Sequence, residues 1–225
     1  VHCSANHMES FYPKDPEYRE WKGSEKPFCM QQTYQYDGQG QIERVWQQNL
    51  DAAGTPDESP KRLVYLRPVK GQTIGTLSAE IEKLLLEQIP QAVKQAKVRS
   101  PAYCLLICYC GEDYAGGWPP FLVVGSEKER RRILKEGNEV AYYLWAPDEM
   151  REMPDNREIP LNDAALNEKC RVHLDLMAAK SSHSSVRKVL QSVARQLNAF
   201  RWKGFLPTAK DFVVAFVDNT GERPF

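Results

Sequence analysis

PAYCLLICYC, residues 101–110, is an apolar run of strand length, rich in Tyr and Ile and too short for a helix of ordinary size. A segment with apolar side chains on both faces belongs in the middle of a sheet covered on both sides. Reading outward, the loop GEDYAGGWPP (111–120) breaks the strand, and FLVV (121–124) returns as its partner. Ser126, with Glu129 three residues later, predicts a capping box opening a charged helix that Gly137 stops. Upstream, Leu77, Ile81, Leu84, Leu85, Ile89, Ala92, Val93 and Ala96 form one stripe at helical spacing, which Pro90 is expected to divide into two segments meeting at an angle.

Further downstream, EVAYYLW (139–145) reads as a strand and 146–160 as a polar connection punctuated by prolines. Leu166, Cys170, His173, Leu174 and Met177 mark a helix, and 181–185 a break. The cleanest stripe follows, from Val186 through Val189, Leu190, Val193, Ala194 and Leu197 to Phe200, ended by Gly204. DFVVAFVD (211–218) is a strand apolar on both faces, which places it in a sheet interior. Before residue 70 the chain is β-rich: 28–36 and 41–48 flank Asp37-Gly38-Gln39-Gly40 as a hairpin, Met30, Gln32, Tyr34 and Tyr36 alternating against Ile42, Arg44 and Trp46. A loop at 51–60 and a third strand, RLVYLR (62–67), come next. Residues 1–27 are too poor in aliphatics for a core of their own and read as an arm laid on the domain. The predicted fold is α+β, a mixed α/β domain. A central, largely antiparallel sheet is flanked by amphipathic helices, with an N-terminal β-hairpin extension. The arm is 1–27 and a single domain spans 28–225, its β-rich part 28–70 and its core 76–218.

The composition, 42% hydrophobic and 27% charged, is that of a folded protein. Thirty basic and thirty acidic side chains cancel, so no global field draws the chain to a phosphate backbone or an anionic membrane. Neither nucleic acid nor a membrane is expected as a partner; no apolar run approaches the ~20 residues of a membrane-spanning helix. Six irregularly spaced cysteines and an opening without a charged-then-apolar pattern predict a soluble protein of the reducing cytoplasm.

Cys104, Cys108 and Cys110 share strand parity, which raises a metal site. Zinc wants ligands converging from two knuckles, and no second Cys or His pair exists, so small buried thiols are the favoured reading and no metal or cofactor is expected. His173 lies on an apolar stripe and reads as a core histidine. Phosphate-loop, dinucleotide, nucleophile-elbow and zinc-protease motifs are absent, so no catalytic residue is assigned. The loop with Glu112, Asp113, Tyr114 and Trp118 follows the carboxyl end of a central strand, where α/β proteins place functional groups. Its acids could bind a cation or a basic partner and Trp118-Pro119-Pro120 could form a rigid platform; the competing reading is a solvated turn whose Trp covers the sheet edge. Arg130, Arg131, Arg132 and Lys135, and separately Arg187, Lys188, Arg195, Arg201 and Lys203, give local basic faces, the stretch 181–203 having no acid. Such faces are solvated or meet an acidic protein.

The order of elements in 76–218, with AYCLLICYC, PPFLVVGSEKERRRIL, WAPDEM and LNAFRWKGF before DFVVAFVD, resembles a bacterial family of uncharacterised domains. Many of its members are predicted immunity proteins beside polymorphic toxin genes, broadly like the SUKH group. The resemblance implies a non-enzymatic α/β domain that binds and neutralises a toxin or another protein, and it carries no site motif. The candidate surface, Glu112, Asp113, Tyr114, Trp118, Trp145, Asp148 and Glu149, comes instead from loop position and aromatic content. The alternatives are an enzyme using the Glu112/Asp113 loop and an oligomerisation module built on the N-terminal hairpin.

Overall fold

The computed structural model describes residues 2–3, 29–50, 55–56, 61–111, 117–180 and 184–219, and the chain has an α+β fold. It divides into two compact units, Val1–Pro68 and Val69–Phe225. The expected arm at 4–27 and most of the 51–60 loop lie outside the described residues.

The first unit is an antiparallel sheet in the order β1 (His2–Cys3), β2 (Cys29–Tyr36), β3 (Ile42–Leu50), β4 (Arg62–Leu66). The Asp37–Gly40 turn joins β2 to β3, as its glycines predict. Asp37 Oδ1 accepts the N–H groups of Gln39 and Gln41, both at 2.9 Å, and Oδ2 accepts from Arg67 Nη1 at 2.6 Å. The register differs from the predicted alternation. A bulge at Gln35/Tyr36 sets Tyr34 opposite Val45 and Gln32 opposite Gln47, so Arg44 and Trp46 fall on the other face, opposite Gln35 and Thr33.

In the second unit a mixed four-stranded sheet has the order β7-β6-β5-β8. It is built from β5 (Ala102–Tyr109), β6 (Phe121–Ser126), β7 (Arg157–Ile159) and β8 (Thr208–Asp218). Only β5 and β8 run parallel. β5 is buried at every residue, as its sequence demands. β8 is an edge strand, not an interior one; its apolar residues are explained by layers packed on both faces.

One layer consists of α1 (Ile74–Gln95), α5 (Ala164–Ala178) and α6 (Ser184–Asn198), which pack together with α6 against β8. The other is formed by α2 (Glu127–Glu136), α3 (Val140–Trp145) and α4 (Pro147–Arg151). Their Ile133, Leu144 and Met150 meet Cys104, Leu106, Cys108, Val123 and Val217 of the sheet. Each fully buried aliphatic side chain contributes about 1.5–3 kcal/mol, so these faces dominate the unit's stability.

Three local expectations are corrected. Pro90 does not divide α1: the helix is continuous over 22 residues, opened by a capping box in which Thr73 and Thr76 exchange side-chain bonds. Ile89, Pro90 and Val93 are all buried, and that packing carries both halves of the helix past the missing amide donor. Ser126 caps α2 by accepting the Lys128 N–H at 3.1 Å, but Glu129 does not reach back. Asn156 Oδ1 takes the Ser126 N–H instead, at 2.8 Å, while Glu129 binds Arg132 Nε at 2.7 Å. EVAYYLW forms α3, a helix rather than a strand, because the sheet edge beside β6 is filled by β7.

Candidate functional site

Glu112, Asp113 and Tyr114 lie outside the described residues, although the ends of their loop are fixed. Gly111 donates its N–H to Asp218 Oδ1 at 3.0 Å, and a Cβ on Gly117 would stand 2.4 Å from Cys110 N, so the chain closes tightly at the end of β5. Trp118 is buried, at 4% exposure, and is therefore not a surface platform. Its ring lies 6.0 Å from that of His173, and its indole N–H has no hydrogen-bond partner among the described residues. His173 is fully buried, as the stripe predicts, with Nε2 at 3.0 Å from Ser78 Oγ and 3.2 Å from Ser185 Oγ, tying α5 to α1 and α6.

Trp145 is half-buried and meets Tyr103 edge-on at 6.0 Å. Asp148 is exposed and pairs with Arg151 at 2.8 Å, and Glu149 accepts the Tyr142 hydroxyl at 3.1 Å. Trp118 thus packs with the helices of one layer, whereas Trp145, Asp148 and Glu149 belong to the other; the described members of the predicted surface do not converge. Nor do the thiols form a centre. Cys104 and Cys108 are buried in the core, burial pushing the Cys104 thiol up to about 12 and the Cys108 thiol well above its usual value, so both stay protonated. Among the described residues no group of three or more His, Cys, Asp or Glu could hold a metal ion, and no helix is long and apolar enough to cross a membrane.

The two basic faces part company in the fold. On α2 most of the charges are matched: Arg130 and Arg131 pair with Glu127, Arg132 with Glu129, and Lys128 with Asp155, while Lys135 is exposed without an ion pair among the described residues. Arg130 also grips both oxygens of Asp211, at 2.7 and 3.0 Å. The second face is unmatched at its far end. Arg201 and Lys203 project from the turn after α6, exposed and without an ion pair among the described residues.

Parallel pairing of β5 and β8 enlarges this face. It brings the starts of both strands to one end of the unit, with Ala102 donating its N–H to the Pro207 carbonyl at 2.9 Å. The α1–β5 link arrives beside the α6–β8 link, adding exposed Lys97 and Arg99, while Lys94 in the last turn of α1 holds its Nζ 5.5 Å from the Phe205 ring centroid. No acid occurs in 88–111 or 188–210. Two helix carboxyl ends, of α1 and α6, face the same cations, but together they amount to about one negative charge. Glu127, whose N–H reaches the Pro101 carbonyl, and Asp211 also come to this end but are held by Arg130 and Arg131, so the five cations Lys94, Lys97, Arg99, Arg201 and Lys203 exceed the helix-end charge.

No family model, curated protein or solved structure matches the chain. The site is accordingly read from its own chemistry. Trp202 is buried and donates its indole N–H to the Leu197 carbonyl at 3.0 Å, fixing the turn on α6. Phe200 packs edge-on against Trp202 at 5.1 Å and Phe205 at 5.2 Å, an aromatic cluster on which Lys94 rests through Phe205. Beside it an open cleft of about 450 Å³ is lined by Lys203, Gly204, Phe205, Leu206, Pro207 and Thr208. The absence of acids around Arg201 and Lys203 is visible in the sequence. That Lys94, Lys97 and Arg99 join them is not, because only the pairing of two distant strands creates the neighbourhood.

Proposed function

We propose that this protein is a non-catalytic protein-binding domain that docks an acidic surface of its partner on the basic end of the second unit. The observation that carries this is the group Lys94, Lys97, Arg99, Arg201 and Lys203, which has no ion pair among the described residues, in a chain whose other basic helix is matched at Lys128, Arg130, Arg131 and Arg132. Exposed cations beside the half-buried Phe205 ring supply both long-range attraction and an apolar contact. A protein fits better than nucleic acid: the chain is neutral overall, so its remaining acids oppose a long phosphate backbone. The resemblance of 76–218 to immunity domains favours a toxin as the partner.

The test is fluorescence anisotropy with a labelled ten-residue Asp/Glu peptide, titrated with the full chain and with the triple variant Arg99→Glu, Arg201→Glu, Lys203→Glu. Binding to the wild type should weaken steeply with salt and fall at least about tenfold in the variant. Equal binding by both proteins would overturn the proposal, as would tighter binding of a single-stranded or duplex oligonucleotide of matched charge.

A further inference from the structure

The cleft beside the cations differs in chemistry from the surface around it. Its walls are the half-buried Phe205 ring, Pro207 and the buried Leu206, and its rim carries Lys203 and the Thr208 hydroxyl. A carboxylate can pair with the exposed cations without entering it. Only an apolar side chain gains from entering, because only such a group is drawn from water onto Phe205 and Pro207. Six consecutive described residues line this open notch of about 450 Å³. That suits one or two inserted side chains. Gly204 adds access: its φ is +90°, and a Cβ there would meet nothing within 4 Å, so the turn leaves its backbone uncovered on that side.

We infer that the partner enters this site as a short acidic segment carrying one large apolar side chain, which fills the cleft while flanking carboxylates meet Lys94, Arg201 and Lys203. The inference rests on the acidic-partner reading above and adds the form of the ligand. Lys94 is already held over Phe205, so a carboxylate reaching it lies next to the ring that receives the anchor. Charge complementarity sets where the segment lies, and the cleft sets its register.

Three labelled peptides of equal length test this: an Asp/Glu peptide with one central Trp, the same peptide with Ala there, and the Trp peptide with every acid replaced by Lys. On the wild type the acidic Trp peptide should bind about tenfold tighter than its Ala counterpart, and the Lys peptide should not bind. Thr208→Trp, at an exposed position, fills the cleft and should erase the Trp advantage without weakening the Ala peptide. Phe205→Ala should do the same, its fold checked by circular dichroism. Equal affinity of the two acidic peptides for the wild type would overturn the cleft inference and leave the acidic-partner reading standing. Binding of neither acidic peptide, or of the Lys peptide as tightly as the acidic one, would overturn both.

Discussion

The carboxamide of Asn198 closes both backbone groups of Val214. Asn198 Oδ1 accepts the Val214 N–H at 2.9 Å and Nδ2 donates to the Val214 carbonyl at 2.6 Å. These groups point away from β5, along the open edge of β8, so the last residue of α6 takes the place of a further strand at that point. Asn198→Ala leaves a poorly hydrated N–H and carbonyl behind and should cost about 1–3 kcal/mol in urea unfolding. Asn198→Asp keeps the acceptor and should fall between. Light scattering of the Ala variant should show greater self-association through the uncovered edge. An unchanged unfolding midpoint would show that solvent satisfies Val214 equally well.

Trp118 changes meaning once its burial is known. As an exposed anchor its loss would weaken a partner complex and spare the fold; as a buried ring packed near His173 its loss opens a large cavity. Trp118→Ala is therefore expected to cost about 3–5 kcal/mol. Trp118→Phe should cost far less, since the cavity is smaller and a buried N–H with no partner among the described residues departs with the indole. An Ala variant that unfolds at the wild-type urea concentration would return Trp118 to the surface.

What could be read from the sequence follows from how local the deciding force is. The buried run at 102–109, the hairpin turn, Gly137 with its φ of +74° and the stripe of α6 are set by nearby residues and by which faces are covered. EVAYYLW misleads because its composition suits a strand while its fate depends on whether an edge is free. Arg157–Ile159, which carries no strand signal of its own, holds that edge. Pro90 misleads in the opposite direction, a strong local rule outweighed by burial on both sides. At the candidate site, composition reveals the missing acids around 201–203 but not the arrival of 94–99, nor the turn of Trp118 inward. Asn198 and Asn156, each joining a helical segment to a distant backbone group, carry no pattern that marks them.

The buried thiols should be inert in the native state. Burial raises the Cys104, Cys108 and Cys170 thiols, Cys104 to about 12, so the nucleophilic thiolate is scarce at neutral pH and the sulfur is inaccessible as well. Iodoacetamide at about pH 8, read by peptide mass spectrometry, should leave these three unmodified until urea unfolds the chain. Added zinc should not raise the melting temperature. Rapid labelling of Cys108 in the folded protein would mean that the α2–α4 layer lifts from the sheet.

Three carboxylates among the described residues are expected to contribute to the acid limb of stability. Arg130 holds Asp211 below its usual value and Lys128 does the same for Asp155, while in the first unit the Gln41 N–H and then Arg67 lower Asp37. In each case the folded protein releases the proton more readily than the unfolded chain, so the stabilisation is complete above the unfolded value of ~3.9 and is lost as pH falls through the lower folded value. The melting temperature should therefore be insensitive to these groups above about pH 5 and should decline below about pH 4. All three side chains meet solvent, so added salt should blunt their effect. Asp211→Asn should lower the melting temperature at neutral pH, flatten the decline, and converge on the wild type at the acid end, where the native carboxylate is protonated too. A variant that declines as steeply as the wild type would show that the Arg130 pair does not govern the acid limb, and Asp155→Asn would then separate the Lys128 contribution from it.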